Sequence, residues 1–347
     1  MKIETALPVG EAHGDLDLDR VADDARFIEE LGFDGLITTE TKHDPFLPLA
    51  LAAPVTKRLT LATAVAIAFP RSPMVVALAA WDLQRLSHGR FILGLGTQVK
   101  GHIERRYSAP WTAPGPRLRE YVLALRAIWD SWQNGTPLRF EGEHYRFTLM
   151  TPEFNPGPIE HPHIPIEIAA VNAYNCRLAG EICDGIRTHP LASRKYLAEF
   201  VLPQVEAGAR RAGRSLSDVQ VSAATLIATG RNDRELGEAV EAVRRRIAFY
   251  ASTRSYRTVL EIHGWQQTVA TLHRLSVQGR WDEMPRQITD EMVETFAIVG
   301  TYDTIADRVR SRFEGIATRV RFGIPLREPG DAERLRSMLQ RLRGETA

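Results

Sequence analysis

Gly89-Arg90-Phe91-Ile92-Leu93-Gly94-Leu95-Gly96-Thr97-Gln98 decides the fold. An apolar run ends in two glycines one residue apart and then turns polar. That is the pattern of a buried parallel strand whose C-terminal end opens into a loop approached closely by something else. A helical stretch, Leu83 to His88, precedes it, and Gly89 is a natural C-terminal stop. Helix, glycine stop, buried strand and polar loop then recur along the chain. Eight strand-like runs result: Lys2–Pro8, Phe33–Thr39, Leu59–Val65, Arg90–Leu95, Ile166–Ala170, Gly185–Thr188, Val219–Ala228 and Thr318–Gly323. Helical patterns separate them, such as Arg20–Leu31 and Phe46–Ala53. Eight alternating units predict an α/β fold, a closed (β/α)8 TIM barrel, over a single domain spanning 1–347.

Two interruptions are expected, at about 97–165 and 248–296. The first holds a long helix, Gly115–Trp132, a hairpin turning at Glu141-Gly142-Glu143, and a proline-rich connector from Pro152 to Pro165. The second is helical and rich in Arg, Trp and His, and loops this long are commonly functional covers. Net charge is +1 with acidic and basic residues nearly balanced, which argues against nucleic acid or an anionic membrane as partner. No apolar run reaches the ~20 residues of a membrane span. The N-terminus is too short and polar for a signal peptide, and Cys176 and Cys183 lack metal-site or disulfide-framework spacing. A cytoplasmic location is the expectation.

Chemistry in such a barrel sits on the loops after the strands. The second strand ends in Glu40-Thr41-Lys42-His43-Asp44, the third in Ala64-Val65-Ala66, and the fourth runs into Gln98 and His102. The fifth leads to Ala170-Val171-Asn172-Ala173-Tyr174, the sixth to Thr188-His189, and the eighth ends around Arg321. Glu40 is a candidate proton donor if burial raises its pKa. Its alternative is a plain ion pair with Lys42 or an arginine. His43 reads equally as a polar residue leading into the helix opened by Asp44-Pro45. His161-Pro162-His163 precedes a strand among prolines and reads as connector, so no metal site is expected. Tyr256 and Trp265 are candidates to line a substrate pocket; Trp111, Trp129 and Trp132 are assigned to the core. Arg244-Arg245-Arg246 reads as a solvated helix face.

Four motifs in register resemble the luciferase-like monooxygenase superfamily, and most closely its F420-dependent branch. They are Glu30-Leu31-Gly32-Phe33-Asp34-Gly35-Leu36 with Glu40, Ser87 to Gly96, Arg177-Leu178-Ala179-Gly180-Glu181-Ile182-Cys183-Asp184-Gly185, and Val299 to Arg308. The resemblance implies an isoalloxazine-type ring, that of the deazaflavin coenzyme F420 or alternatively of FMN, across the C-terminal mouth. It implies an acidic residue beside the ring at Glu40, although Thr41 stands where a histidine often follows. It further implies a non-prolyl cis peptide and bulge within Ala64, Val65 and Ala66, and a cofactor contact from His102; Gln98 is expected one helical turn before it, so that both face the mouth. The cofactor phosphate is expected at the amides of Ala170 to Tyr174, with Thr188 and His189 assisting, since a helix N-terminus favours anions. Alanines replace two glycines typical of that loop.

The implied activity is hydride exchange between the deazaflavin C5 and an organic substrate, with Glu40, His43 and His102 as candidate catalytic residues. Rival readings are an FMN monooxygenase of the same superfamily, a metal-dependent barrel hydrolase, and a non-catalytic cofactor-binding protein. Expected partners are a small-molecule substrate, a second copy of the chain as homodimer, and a reductase that supplies reduced cofactor.

Overall fold

The eight runs pair in sequence order and close on themselves in a computed structural model that describes residues 1–9 and 15–345. The strands are β1 Lys2–Ala6, β2 Gly35–Thr38, β3 Thr60–Thr63, β4 Phe91–Gly96, β5 Ile166–Ala169, β6 Gly185–Arg187, β7 Gln220–Ala223 and β8 Arg319–Arg321. All pairings are parallel, and Lys2 opposite Arg319 closes the ring. The barrel expected from the sequence is therefore the observed fold.

The opening stretch behaves as its composition dictates. Gly89 takes φ +83 after the helix Pro73–Leu86 and turns the chain into β4. Arg90 then donates to the carbonyls of Ala53 and Thr56, which the end of an adjacent helix leaves unpaired, and to that of Leu59 just before β3. At Gly94 a Cβ would lie 1.9 Å from the Thr63 carbonyl oxygen, so only glycine lets β3 and β4 meet. Beyond that point β3 carries one residue more than β4, because Ala62 faces Ile92 while Ala66 faces Leu95. A non-prolyl cis peptide joins Ala64 and Val65 within this bulge, at the place the resemblance implied.

Two recurrent motifs fasten the N-terminal end of the barrel. Asp34 accepts the Ile3 amide at 2.8 Å, and Asp184 accepts the Ile166 amide at 2.7 Å. Each aspartate thus satisfies an N–H at the start of a neighbouring strand. Burial opposes the charge on Asp184, but His163 and Arg126 hold its pKa down at about 2. His163 lies 3.1 Å from that carboxylate, so His161-Pro162-His163 belongs to the underside and is a connector, as expected.

Two boundaries differ from expectation. Val219–Ala228 is not one strand: β7 ends at Ala223, and Leu226–Gly230 leaves the barrel to pair in parallel with Ala297–Thr301. The second insertion consequently starts before Ala248, because the helix Asp233–Ala251 already belongs to it. In the first insertion the long helix runs Pro114–Asn134 and the hairpin pairs Phe140–Glu141 with Arg146–Phe147. Trp129 and Trp132 are buried core residues, whereas half-buried Trp111 meets Phe69 edge-on. Cys176 and Cys183 are free and buried, and burial pushes both thiols up to about 12, which leaves them unreactive. Among the described residues no helix is long and apolar enough to cross a membrane.

Candidate active site

Side chains alternate along each strand, so residues two apart share a face. Inside the barrel β1 to β4 contribute an apolar patch of Ala6, Ile37, Ala62 and Ile92, with Ala64 against it. The opposite half carries charge. Arg187 on β6 reaches Glu4 at 2.8 Å and Glu167 at 2.7 Å, and Arg319 on β8 reaches Glu167 at 2.8 Å. Two carboxylates and two guanidiniums neutralise one another there, all nearly devoid of solvent.

Toward the C-terminal mouth, the interior is bounded by Ala6 and Ala64 of this patch together with Gly96, Ala169, His189 and Arg321. Four of these six have no side chain beyond Cβ, and Ala64 and Ala169 remain half-buried. Small residues thus stand at positions that barrels ordinarily fill with branched ones. The Val65 side chain passes into the space beside Gly96, where a Cβ would lie 2.6 Å from it.

Glu40 lies at the edge of this space, its side chain only 6% exposed. It accepts from the Ile67 amide at 2.7 Å, from Arg71 Nη1 at 2.8 and 2.9 Å, and from the Tyr107 hydroxyl at 3.0 Å. Four hydrogen bonds fill the lone-pair positions of both oxygens. Burial opposes the charge of Arg71, but Glu40 and Asp44 more than offset that and its pKa is raised. Burial and Glu40 push the Tyr107 phenol up, so it stays a donor. Glu40 therefore has an arginine partner, and it is Arg71; Lys42 pairs instead with Asp15 on the surface. Arg71 and Tyr107 were not foreseen from the sequence. A loop arginine after the third strand, between Pro70 and Pro73, gives no motif.

The other expected residues are dispersed. His43 is half-buried and makes no side-chain hydrogen bond among the described residues. His102 is exposed on the helix Lys100–Arg105. Gln98 precedes that helix with φ +57 and folds its own oxygen back onto the Val99 amide, so the two do not stand one helical turn apart. Asn172 caps the helix Ala173–Ile182 through the Asn175 amide, which leaves the Ala173 and Tyr174 amides open at that N-terminus. The Val171 carbonyl accepts from the Tyr196 hydroxyl at 2.8 Å, and Ala170 is buried. Thr188 and His189, being consecutive, face opposite sides of β6, and the Thr188 hydroxyl is buried without a partner among the described residues.

His189 is held by aromatic contacts from the inserted helices. Its ring stacks on Tyr256 at 4.2 Å and meets the edge of Tyr250 at 4.6 Å. Burial pushes its pKa down to about 3, so the imidazole is neutral at physiological pH. Nδ1 accepts the Leu191 amide at 3.2 Å, which puts the proton on Nε2. Tyr256 thus lies against His189, while Trp265 stacks on His263 and packs against Phe296. The arginine triplet is not a uniformly solvated face. Arg244 bonds Asp290 and the Ile288 carbonyl, Arg245 is exposed, and Arg246 is half-buried on the Tyr250 side.

Against known proteins, the luciferase-like monooxygenase family model matches residues 2–319. The chain belongs to that family. An uncharacterized protein of Mycobacterium tuberculosis is 49% identical over 94% of this chain and 95% of its own length. A second protein of that organism, provisionally named a coenzyme F420-dependent oxidoreductase, is 32% identical over 80% of this chain and 82% of its own. The structure of coenzyme F420-dependent tetrahydromethanopterin reductase from Methanopyrus kandleri superposes with a TM-score of 0.78. It is 21% identical and covers 99% of this chain and 98% of that one.

Proposed function

We propose that this chain is an F420-dependent oxidoreductase that moves a hydride between the cofactor and a small organic substrate. The observation that carries the reading is the mouth itself, a floor of Ala6, Ala64, Gly96 and Ala169 with a neutral, proton-bearing His189 at its side. Support comes from the relative named for F420 and from the shared fold. When bound, a deazaflavin supplies a ring carbon that gives or takes a hydride.

The residues of the chain supply the rest. The small floor residues and the bulge at Ala64 to Ala66 would hold the ring, and the open amides of Ala173 and Tyr174 its phosphate. His189 Nε2 donates a hydrogen bond to the substrate oxygen, polarising the reacting carbon without carrying charge. Tyr250 and Tyr256 cover the β6 side and exclude water. Glu40 acts as a positioning residue: it ties the β2 loop to the bulge, to Arg71 and to the Tyr107 segment, with no lone pair left for a substrate proton.

Side-by-side titration of the protein with F420 and FMN tests the reading. Micromolar binding of F420 and weak binding of FMN is the expected result. Preference for FMN, with oxygen consumed when reduced flavin is supplied, would replace it by the monooxygenase reading.

A further inference from the structure

The mouth holds two guanidiniums that its own carboxylates do not claim. Arg321 follows Arg319 by two residues on β8 and so faces the barrel interior one layer higher. Arg246 lies four residues, one helical turn, before Tyr250 on the helix Asp233–Ala251, and Tyr250 touches His189 in the mouth. Both arginines are half-buried, and neither makes a side-chain hydrogen bond or ion pair among the described residues. Glu4 stands opposite Arg321 in the strand register, but its carboxylate is engaged by Arg187 and approached by Arg319. Burial, and Arg246 against the pull of Glu4, keep the Arg321 pKa below the ordinary guanidinium value. Arg246 is thus among the charges that act on Arg321, and neither half-buried guanidinium has a counter-ion among the described residues.

We propose that Arg246 and Arg321 form the binding site for a compact oxyanion, a carboxylate or phosphate group of the substrate, beside His189. Planar guanidinium forks suit either group, and two of them match the double charge of a phosphate. As a statement of substrate class this rests on the hydride-transfer reading above; the anion site itself does not. The neutral His189 would meet the reacting oxygen while the arginines hold the far, charged end.

The test uses the full-length protein and inorganic phosphate or acetate as probes, followed by calorimetry, with F420 titrated in parallel. R246M and R321M should each weaken phosphate binding about tenfold or more, and R245M should leave it unchanged. R246M should alter F420 affinity less than about twofold. R246K, which keeps the charge without the fork, should fall between wild type and R246M, and it serves if R246M does not fold. Tighter binding of acetate than phosphate, with the same arginine dependence, supports the site and makes it a carboxylate site. Failure of the wild type to bind either anion, or binding indifferent to both arginines, overturns the proposal. So does a parallel loss of F420 affinity in R246M, which would assign the pair to the cofactor. Arginine-dependent phosphate binding without F420 binding would sink the deazaflavin reading and leave the anion site standing.

Discussion

Arg187 and Arg319, on β6 and β8, lie two residues before His189, just past the end of β6, and Arg321 on β8. In the lower layer every guanidinium has a carboxylate within 2.8 Å, supplied by Glu4 and Glu167. In the upper layer no such partner exists among the described residues. Charge compensation is complete where the barrel must be solid and stops where it opens. The lower network contributes to a unique interior; the upper residues hold a field with nothing in the chain to answer it. Substitution should separate them. Arg187→Met strands two buried carboxylates on one arginine and should cost about 4–5 kcal/mol, read by urea unfolding. Arg321→Met, the same change one layer higher, removes an unanswered charge and should leave stability within about 1 kcal/mol of wild type. Equal losses in the two variants would erase the distinction.

Glu40 extends the comparison to the rim, where a carboxylate is compensated but by residues from three separate segments. Glu40→Gln replaces an acceptor oxygen with an amide facing Arg71 and the Ile67 amide, donor against donor. The expected cost is about 3 kcal/mol, a fall of about 4 °C in the melting temperature, with weaker F420 binding as the rim loosens. A proton donor would behave differently: turnover would drop and its pH profile change while the melting temperature held. Differential scanning calorimetry beside a pH–rate profile discriminates the two.

These layers differ in how far the sequence discloses them. The motifs that carried the family resemblance are mostly fasteners of the closed end. Asp34 and Asp184 satisfy amides at the starts of β1 and β5, Gly89 turns a corner, and Gly94 admits a neighbouring backbone. Each does its work within a few residues of its place in the chain or at a fixed strand register, so spacing reveals it. The barrel and its strand order were legible for that reason. The mouth is assembled from loops outside the strand register: Arg71 reaches back to Glu40, and Tyr250 and Tyr256 arrive over His189 from an insertion. Nothing local marks such residues. The split after β7 was missed because Val219–Ala228 is a continuous β-favouring run, and only pairing with Ala297–Thr301 shows that its second half belongs elsewhere. Arg244-Arg245-Arg246 looked like one surface feature because helical rotation sends three adjacent identical side chains in three directions.

His189 gives the upper layer a pH signature. Its pKa is about 3 in the fold against 6.5 ordinarily, so between those values the unfolded chain binds the additional proton. Stability from this residue is whole above pH 6.5 and is lost as pH falls toward 3. At pH 5 the loss amounts to about 2 kcal/mol. His189→Phe keeps the ring between Tyr250 and Tyr256 and removes the titration. Unfolding at pH 7 and pH 5 should show a drop in the wild type about 2 kcal/mol larger than in the variant. Equal drops would mean that the imidazole is protonated in the fold, and a charged His189 would then join the two arginines as a third cation.

The smallest effect belongs to Arg245→Ala, and it bears on how local the upper layer's charge is. Arg245 shares a helix with Arg246 but is exposed, beside a shallow depression formed with Phe249, Trp281 and Met284. If the anion is held by the forks of Arg246 and Arg321, this neighbour contributes only a distant, salt-screened potential. Stability should then move by less than about 0.5 kcal/mol, and phosphate affinity should change less than about twofold at physiological salt. A larger loss that vanishes as salt is raised would show that the summed charge of the helix recruits the anion, with no requirement for two particular side chains. A loss that persists in high salt would instead place Arg245 at the ligand, with the arginine pair no longer distinguished from the rest of the triplet.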